Sequence, residues 1–237
     1  MIKIKIAGLV ASILNRYAHI ERLAVDYITD GEPDFEVEAS EAEIEEERLR
    51  NPEGFSAGYL ESVVLHRKIA EQLPRFGALV FHAAVVEIDG RAYAFTAKSG
   101  TGKTTHTRHL ISAFGDRARY VNGDKPIIRI IDGVPYAFGT PWRGKESYGE
   151  NISSPLVGIA FLSRAAENSA DVVDSGGYGA SILSSVYIPK NREMAVMALS
   201  VVSKMLSSVT VVDLRCNPDP SSAFATARAF GIDIIPK

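Results

Sequence analysis

Ala97-Lys98-Ser99-Gly100-Thr101-Gly102-Lys103-Thr104 is the stretch of this 237-residue chain on which the fold turns. It stands between a run of strand-forming residues at 91–96 and a segment of helical character that starts at Lys103 or Thr104 and runs to about Phe114. Strand, glycine-rich loop and helix, in that order, is the context that gives such a motif its meaning. Glycines at 100 and 102 let the backbone aim successive N–H groups into one concavity, where they and the helix N-terminus attract phosphate oxygens. Lys103 adds a mobile positive charge for the terminal phosphates, and the Thr104 hydroxyl suits Mg²⁺. ATP with Mg²⁺ is the expected ligand, with GTP as the alternative. Ala97 stands where the usual pattern has glycine, so no positive φ is expected at the head of the loop.

Upstream of the loop, residues 78–87 are rich in Val, Phe and Ala, and Asp89-Gly90 is a two-residue hairpin signal, so antiparallel strands lead into it. Downstream, strands are predicted at 119–122, 126–131, 156–162 and 209–215, and helices at 178–185, 191–207 and 220–230. The first third offers strand-like segments at 2–6 and 35–38, a mixed segment at 17–28 and a turn at Asp30-Gly31-Glu32-Pro33. The spacing of Leu60, Val63, Val64, Ile69, Ala70 and Leu73 predicts an amphipathic helix closed by Pro74. The acidic run 41–47, ending at Asn51-Pro52, reads as a solvated helix face, and Arg67 and Lys68 as the solvated edge of the next helix. The fold class expected is α/β: a mixed, antiparallel-containing sheet with a phosphate loop and flanking helices, plus a small N-terminal α+β extension. One domain over 1–237 is the simplest partition, with the extension at 1–75 and the core at 76–237.

The composition is that of a globular protein, 46% hydrophobic and 23% charged. A formal charge of −3 and a pI near 6.0 supply no general basic field, so nucleic acid is not an expected partner and phosphate binding has to be local. The single cysteine, Cys216, reads as a small buried hydrophobe, and no metal-type spacing of Cys and His occurs. The opening MIKIKIAGL alternates Ile with Lys, as a strand does and a signal peptide does not. No apolar run approaches the ~18 residues of a membrane span, so a cytoplasmic protein without a membrane partner is expected.

Residues Ser99, Gly100, Thr101, Gly102, Lys103, Thr104 and Thr105 are similar to the kinase loop of ATP-dependent phosphoenolpyruvate carboxykinases. His82, ahead of the hairpin, resembles bacterial HPr kinase/phosphorylase, a member of the same superfamily. Asn122-Gly123-Asp124-Lys125-Pro126 followed by Gly139-Thr140-Pro141-Trp142-Arg143-Gly144-Lys145-Glu146 looks like the small HPr-kinase-related proteins of bacteria. The resemblance covers residues 81–145 and implies nucleotide contacts from Ser99 through Thr105 and metal ligation by Thr104 and Asp124. It also places His82 beside the transferred phosphate. The superfamily usually carries two adjacent aspartates in the acidic turn, one as catalytic base and one in the metal shell; here the first is Gly123. Full carboxykinases are more than twice this length, so phosphoryl transfer without decarboxylation is the chemistry implied. Related kinases are often oligomeric, which makes a homo-oligomer an expectation as well.

Trp142, beside Arg143 and Lys145 in a predicted loop, suits recognition of an anionic group, with Arg143 placed to neutralise charge on a migrating phosphoryl. Ser175-Gly176-Gly177-Tyr178-Gly179 reads as a plain surface loop before a helix. The expected function is a Mg·ATP-dependent kinase acting on a hydroxyl of a small molecule or a peptide serine. Its working residues are Lys103, Asp124, His82, Arg143 and Lys145. Two alternatives remain at this point: an ATP-binding sensor or accessory protein without turnover, motivated by Gly123, and an HPr-type protein-serine kinase.

Overall fold

The structure, a computed structural model, describes residues 1–51 and 54–234. Pro52 of the predicted acidic-run terminus therefore lies outside the described residues. In chain order the elements are β1 (Ile2–Ile6), β2 (Leu9–Leu14), α1 (His19–Leu23), β3 (Phe35–Glu38), α2 (Glu41–Arg50) and α3 (Ala57–Gln72). Then come β4 (Ala78–Val80), β5 (Ala84–Ile88), β6 (Arg91–Thr96), α4 (Lys103–Phe114), β7 (Ala118–Asn122), β8 (Ile127–Ile131) and β9 (Val134–Phe138). The chain continues through β10 (Ser153–Arg164), β11 (Ser169–Val173), α5 (Gly179–Leu183), α6 (Arg192–Ser207), β12 (Thr210–Cys216) and α7 (Ser222–Phe230). The result is a mixed α/β architecture. No helix among the described residues is long and apolar enough to cross a membrane.

Two sheets organise it: a three-stranded one, β1-β2-β3, and a nine-stranded one in which β10 is the switch. The first residues of β10, Ser153 to Pro155, pair antiparallel with β9. After a register shift between Leu156 and Gly158, the strand runs parallel to β6 on one side and parallel to β12 on the other. A bulge bends and twists its strand, which is how one chain segment serves two differently oriented parts of a sheet. Apolar side chains from β5, β6, β10 and β12 fill both faces. Phe95, Ala160 and Val212 face α4 and α7, while Val85, Ile159 and Val211 lie in the cluster that includes Val201 and Met205 of α6. Such burial on two faces is what near-continuous apolar strands are for.

The predicted single strand at 78–87 is two strands. β4 pairs with β8, whereas β5 pairs with β6 and β7, so the chain must leave one part of the sheet and join another across Phe81, His82 and Ala83. The break is pinned by the His82 N–H, which donates to the Ser185 carbonyl at 2.6 Å, and by the Thr96 hydroxyl, which donates to the His82 carbonyl at 3.1 Å. Strands β2, β9 and β11 were not anticipated. The first two close hairpins through Ala7-Gly8 and Asp132-Gly133, both pairs at positive φ (50° and 74°, 49° and 83°), the same geometry as the expected Asp89-Gly90 turn at 51° and 75°.

The acidic run is not simply solvated, and neither are Arg67 and Lys68. Arg67 reaches buried Glu47 at 2.5 Å and Lys68 reaches Glu43 at 2.8 Å, so the two charge rows zip α2 onto α3. A capping box between Ser40 and Glu43 starts α2. Pro74 does not stop α3 directly; it sits in a 3-10 turn, Leu73–Phe76, that ends at Gly77 with φ +68°. The expected loop at 175–179 is a 3-10 turn running straight into α5, with Tyr178 packed on Phe161 at 4.5 Å between ring centres.

Gly158, at the point where β10 changes partners, is covered by Phe230, and a Cβ there would overlap the ring edge. That ring is itself packed on Tyr93, so it has little room to retreat. Gly158→Val is expected to lower stability by about 1–3 kcal/mol, the usual cost of overpacking, read as a reduced urea midpoint at unchanged m-value.

Candidate functional site

The glycine-rich loop leaves the end of β6 and opens α4. Gly100 and Gly102 take φ of +76° and +126°, with open space where a side chain would stand, so the backbone turns through conformations that L residues avoid. Gly102 is the N-cap of α4 and no side chain caps it, leaving the first-turn N–H groups, which have no partner inside a helix, free for a ligand. Lys103 folds back so that its Nζ donates to the Ala97 carbonyl at 3.0 Å, and Thr101 donates to the Lys98 carbonyl at 2.8 Å. From the end of β10, Arg164 holds the outside of the loop, donating to the carbonyls of Gly100 at 2.6 Å and Thr101 at 3.2 Å. Nothing in the sequence marks Arg164; only the parallel pairing of β10 with β6 brings it there.

Facing the loop is the acidic turn after β7. The buried Asn122 side chain accepts from the N–H groups of Asp124 (2.8 Å) and Lys125 (2.7 Å), and its amide donates to the Thr140 hydroxyl at 3.0 Å. Thr140 in turn donates to the Lys125 carbonyl at 2.8 Å, so the turn is fixed from both sides. Asp124 is thereby aimed at His82, whose Nε2 lies 3.2 Å from Oδ1, while Lys125 Nζ lies 3.6 Å from Oδ2. Burial pushes the Asp124 carboxyl up, but the His82 hydrogen bond and the charges of Lys125 and Lys103 outweigh it and hold the group below its ordinary value. Burial lowers the Lys103 ammonium pKa; Asp124 opposes that shift and Lys125 adds to it.

A strap at 143–149 closes the third side. Gly123 donates its N–H to the Tyr148 carbonyl at 2.8 Å, and a Cβ on Gly123 would stand 3.1 Å from the Arg143 carbonyl and 3.2 Å from that of Tyr148. Gly144 packs directly on the Asp124 side chain, and the Tyr148 ring stacks on Tyr120 at 4.6 Å.

Ten of the eleven sequence-predicted site residues meet in one cavity of about 510 Å³: His82, Ser99, Gly100, Gly102, Lys103, Thr104, Thr105, Asp124, Arg143 and Lys145. The eleventh, Thr101, lines two neighbouring cavities of about 660 and 470 Å³ instead. A solved structure, the Hpr(Ser) kinase/phosphatase from Coxiella burnetii, is similar to this chain. Identity is 11%, the match covers 52% of this chain and 93% of that one, and the TM-score is 0.30. At that score the superposition is too loose to transfer a role to any residue. No protein-family model and no curated protein matches the chain.

Arg143 and Trp142 depart from expectation. Arg143 spans to the N-terminal third, bonding Asp26 at 2.9 Å with its guanidinium 5.8 Å from the Tyr27 ring centre, although its Nε is sealed without a partner. Trp142 does not face a ligand: its Nε1 donates to the Ser62 carbonyl at 3.2 Å and its ring lies 4.7 Å from that of His66. It anchors the strap to α3, the use that an apolar ring with one polar handle serves best. Lys145 is exposed at the cavity rim.

Among the described residues no three His, Cys, Asp or Glu side chains cluster as a metal site. The Thr104 hydroxyl and the Asp124 carboxylate share a cavity that Glu146 also lines, and such a pair fits Mg²⁺, which is held by one or two protein oxygens together with phosphate and water.

Replacing Asn122 by alanine removes the acceptor that organises the acidic turn and leaves two part-buried N–H groups unpaired. The expected loss is about 1–3 kcal/mol in urea unfolding. Lys103 supplies a second test, because its proton leaves more readily than that of a free lysine. A positively charged Lys103 favours an anion, so affinity for a phosphate ligand is expected to fall, on raising the pH, before the range in which free lysine titrates. Lys103→Arg is expected to abolish that alkaline limb in a fluorescent-nucleotide titration, since guanidinium stays protonated.

Proposed function

We propose that the chain is a Mg·ATP-dependent phosphotransferase that moves the γ-phosphoryl group to a hydroxyl. The observation that carries this reading is the meeting of an uncapped helix N-terminus and Lys103 with the His82–Asp124 pair across one cavity. The first-turn amides and Lys103 hold the phosphates, Lys103 exchanging its bond to the Ala97 carbonyl for a phosphate oxygen. Thr104 and Asp124 hold Mg²⁺, which when bound offsets the charge building on the phosphate oxygens. Asp124, kept ionised, is available as a ligand over the whole physiological range. The acceptor hydroxyl loses its proton to the His82–Asp124 pair as its oxygen bonds to the γ-phosphorus; the bond to the bridging oxygen breaks and ADP leaves. Arg143 lines the cavity but has its guanidinium on Asp26, so it steadies the developing charge only by releasing that partner.

A second reading, an ATP-binding accessory protein without turnover, has its own support. The carbonyls of Arg143 and Tyr148 crowd the position where the first aspartate of the pair would place its Cβ. A side chain there has to push those carbonyls back by a few tenths of an ångström, and the site as built has one carboxylate in the acidic turn and not two.

Transfer of labelled γ-phosphate from Mg·ATP to pooled metabolites and short Ser/Thr peptides separates the readings. Label in an acceptor, lost in Asp124→Ala, supports the phosphotransferase; tight binding with every acceptor unlabelled supports the accessory protein. Lys103→Ala is expected to weaken Mg·ATP binding about 10- to 100-fold, the worth of one charged hydrogen bond, and unchanged binding sinks both. Gly123→Asp is expected to lower stability by about 1–3 kcal/mol through the strap, whichever reading holds.

A further inference from the structure

Beside the cavity described above lies a smaller one of about 270 Å³, walled by α3, the β4–β5 break and the segment after α5. His82 lines both, and Lys125, which lines the smaller, contacts Asp124 of the larger. A molecule in the smaller cavity therefore has the His82–Asp124 pair at its end. Resting on the phosphotransferase reading, we propose that this cavity is the acceptor site and that the acceptor is a small hydroxylated anion, bearing a carboxylate or a phosphate, and not a protein segment.

Size argues first. The cavity is smaller than the ~300 Å³ at which drug-sized sites begin, so a few-carbon molecule fills it. Charge argues second. Arg67 and Lys125 line it together with two imidazoles, while no Asp or Glu does. Arg67 commits one Nη to Glu47, leaving other N–H groups of its fork for a ligand, and Lys125 has three donors against one carboxylate contact. Val63, Val80 and Val186 supply an apolar wall on which a short carbon chain rests.

The third observation points to a ligand independently. Nε2 of His66 is sealed from solvent and has no hydrogen-bond partner, although its ring is wedged against Trp142. Burial and the nearby Lys125 push the imidazole down to about 3, so it stays neutral and offers one donor and one acceptor. An unpaired buried nitrogen costs about 1–3 kcal/mol, and a small shift of the ring towards the cavity would let a bound hydroxyl or oxyanion recover it. The larger cavity of about 660 Å³ on the other side of Ser184 and Ser185 is the weaker candidate: neither His82 nor Lys125 lines it, so a molecule there does not meet the His82–Asp124 pair.

The test uses the full chain with Mg·ATP and reads ADP release, with nucleotide affinity measured separately. The probes are D-glycerate and glycerol 1-phosphate, with glycerol as the neutral control and a capped Gly-Ser-Gly peptide as the protein-like control. At least one anionic probe is expected to be turned over with kcat/KM about tenfold or more above both controls. Arg67→Gln is expected to raise the KM for that probe about tenfold with nucleotide affinity unchanged. Because Arg67→Gln also releases buried Glu47, Val63→Phe serves as a second variant that fills the cavity and leaves the ion pair intact, with the same expected rise in KM. Equal or better use of glycerol or the peptide overturns the proposal, as does a loss of kcat or stability with KM unmoved. Nucleotide binding with no probe turned over overturns it while leaving the nucleotide site standing; failure to bind nucleotide overturns the phosphotransferase reading itself.

Discussion

Everything at the cavity hangs on one buried side-chain amide. Asn122, with no exposed surface, ends β7 and uses both sides of its carboxamide, accepting from two backbone N–H groups of the acidic turn and donating to Thr140. Because Thr140 also holds Lys125, and Asn122 bridges Gly149 through the backbone, the acidic turn and two later segments are locked to one residue. A buried amide that is fully paired costs nothing and specifies a single arrangement; a half-paired one is expensive. The direction of Asp124 is thus set by the fold and does not depend on a ligand.

The loop opposite is built on the reverse principle. Its donors are left over: first-turn amides without a cap, and a lysine whose ammonium is parked on a carbonyl of its own loop. Arg164 braces the loop by occupying the carbonyls of Gly100 and Thr101. A rigid acidic turn facing a loop rich in free donors is an arrangement in which an anionic ligand with a bound cation satisfies both walls at once. The two charged groups differ in what governs them: neighbouring cations and the His82 hydrogen bond hold the Asp124 carboxyl low, whereas burial lowers the Lys103 ammonium against the pull of Asp124.

How much of this was legible in the sequence depended on whether the signal was local. The loop, the helix after it and the Asp89-Gly90 turn were read correctly because each is dictated by residues a few positions apart. Asp132-Gly133 carried the same turn signal and would have given β9, and Ala7-Gly8 a weaker version that would have given β2. The break in the strand at Phe81–Ala83 had no local signal, since it arises from β4 and β5 choosing different partners. Trp142 looked like a ligand-facing aromatic and is a strap anchor, because its partners Ser62 and His66 lie on a helix some eighty residues earlier. His82 and Asp124 were expected at one site, and the structure adds that they touch.

Gly123 marks where the strap and the chemistry constrain each other. With no side chain at 123, the carbonyls of Arg143 and Tyr148 come to within 3.1–3.2 Å of the absent Cβ, and Gly144 lies against Asp124 itself. Two carbonyl dipoles supply negative potential where a second carboxylate would have stood, but a carbonyl takes up no proton. On the proposed phosphotransfer, the proton would fall to the His82–Asp124 pair, because Asp124 is a carboxylate held below its ordinary pKa there and His82 the imidazole in contact with it. On that same proposal, with Asp124 committed to a cation, the proton would pass to His82, and the strand break that positions His82 would be as much a part of the chemistry as the loop.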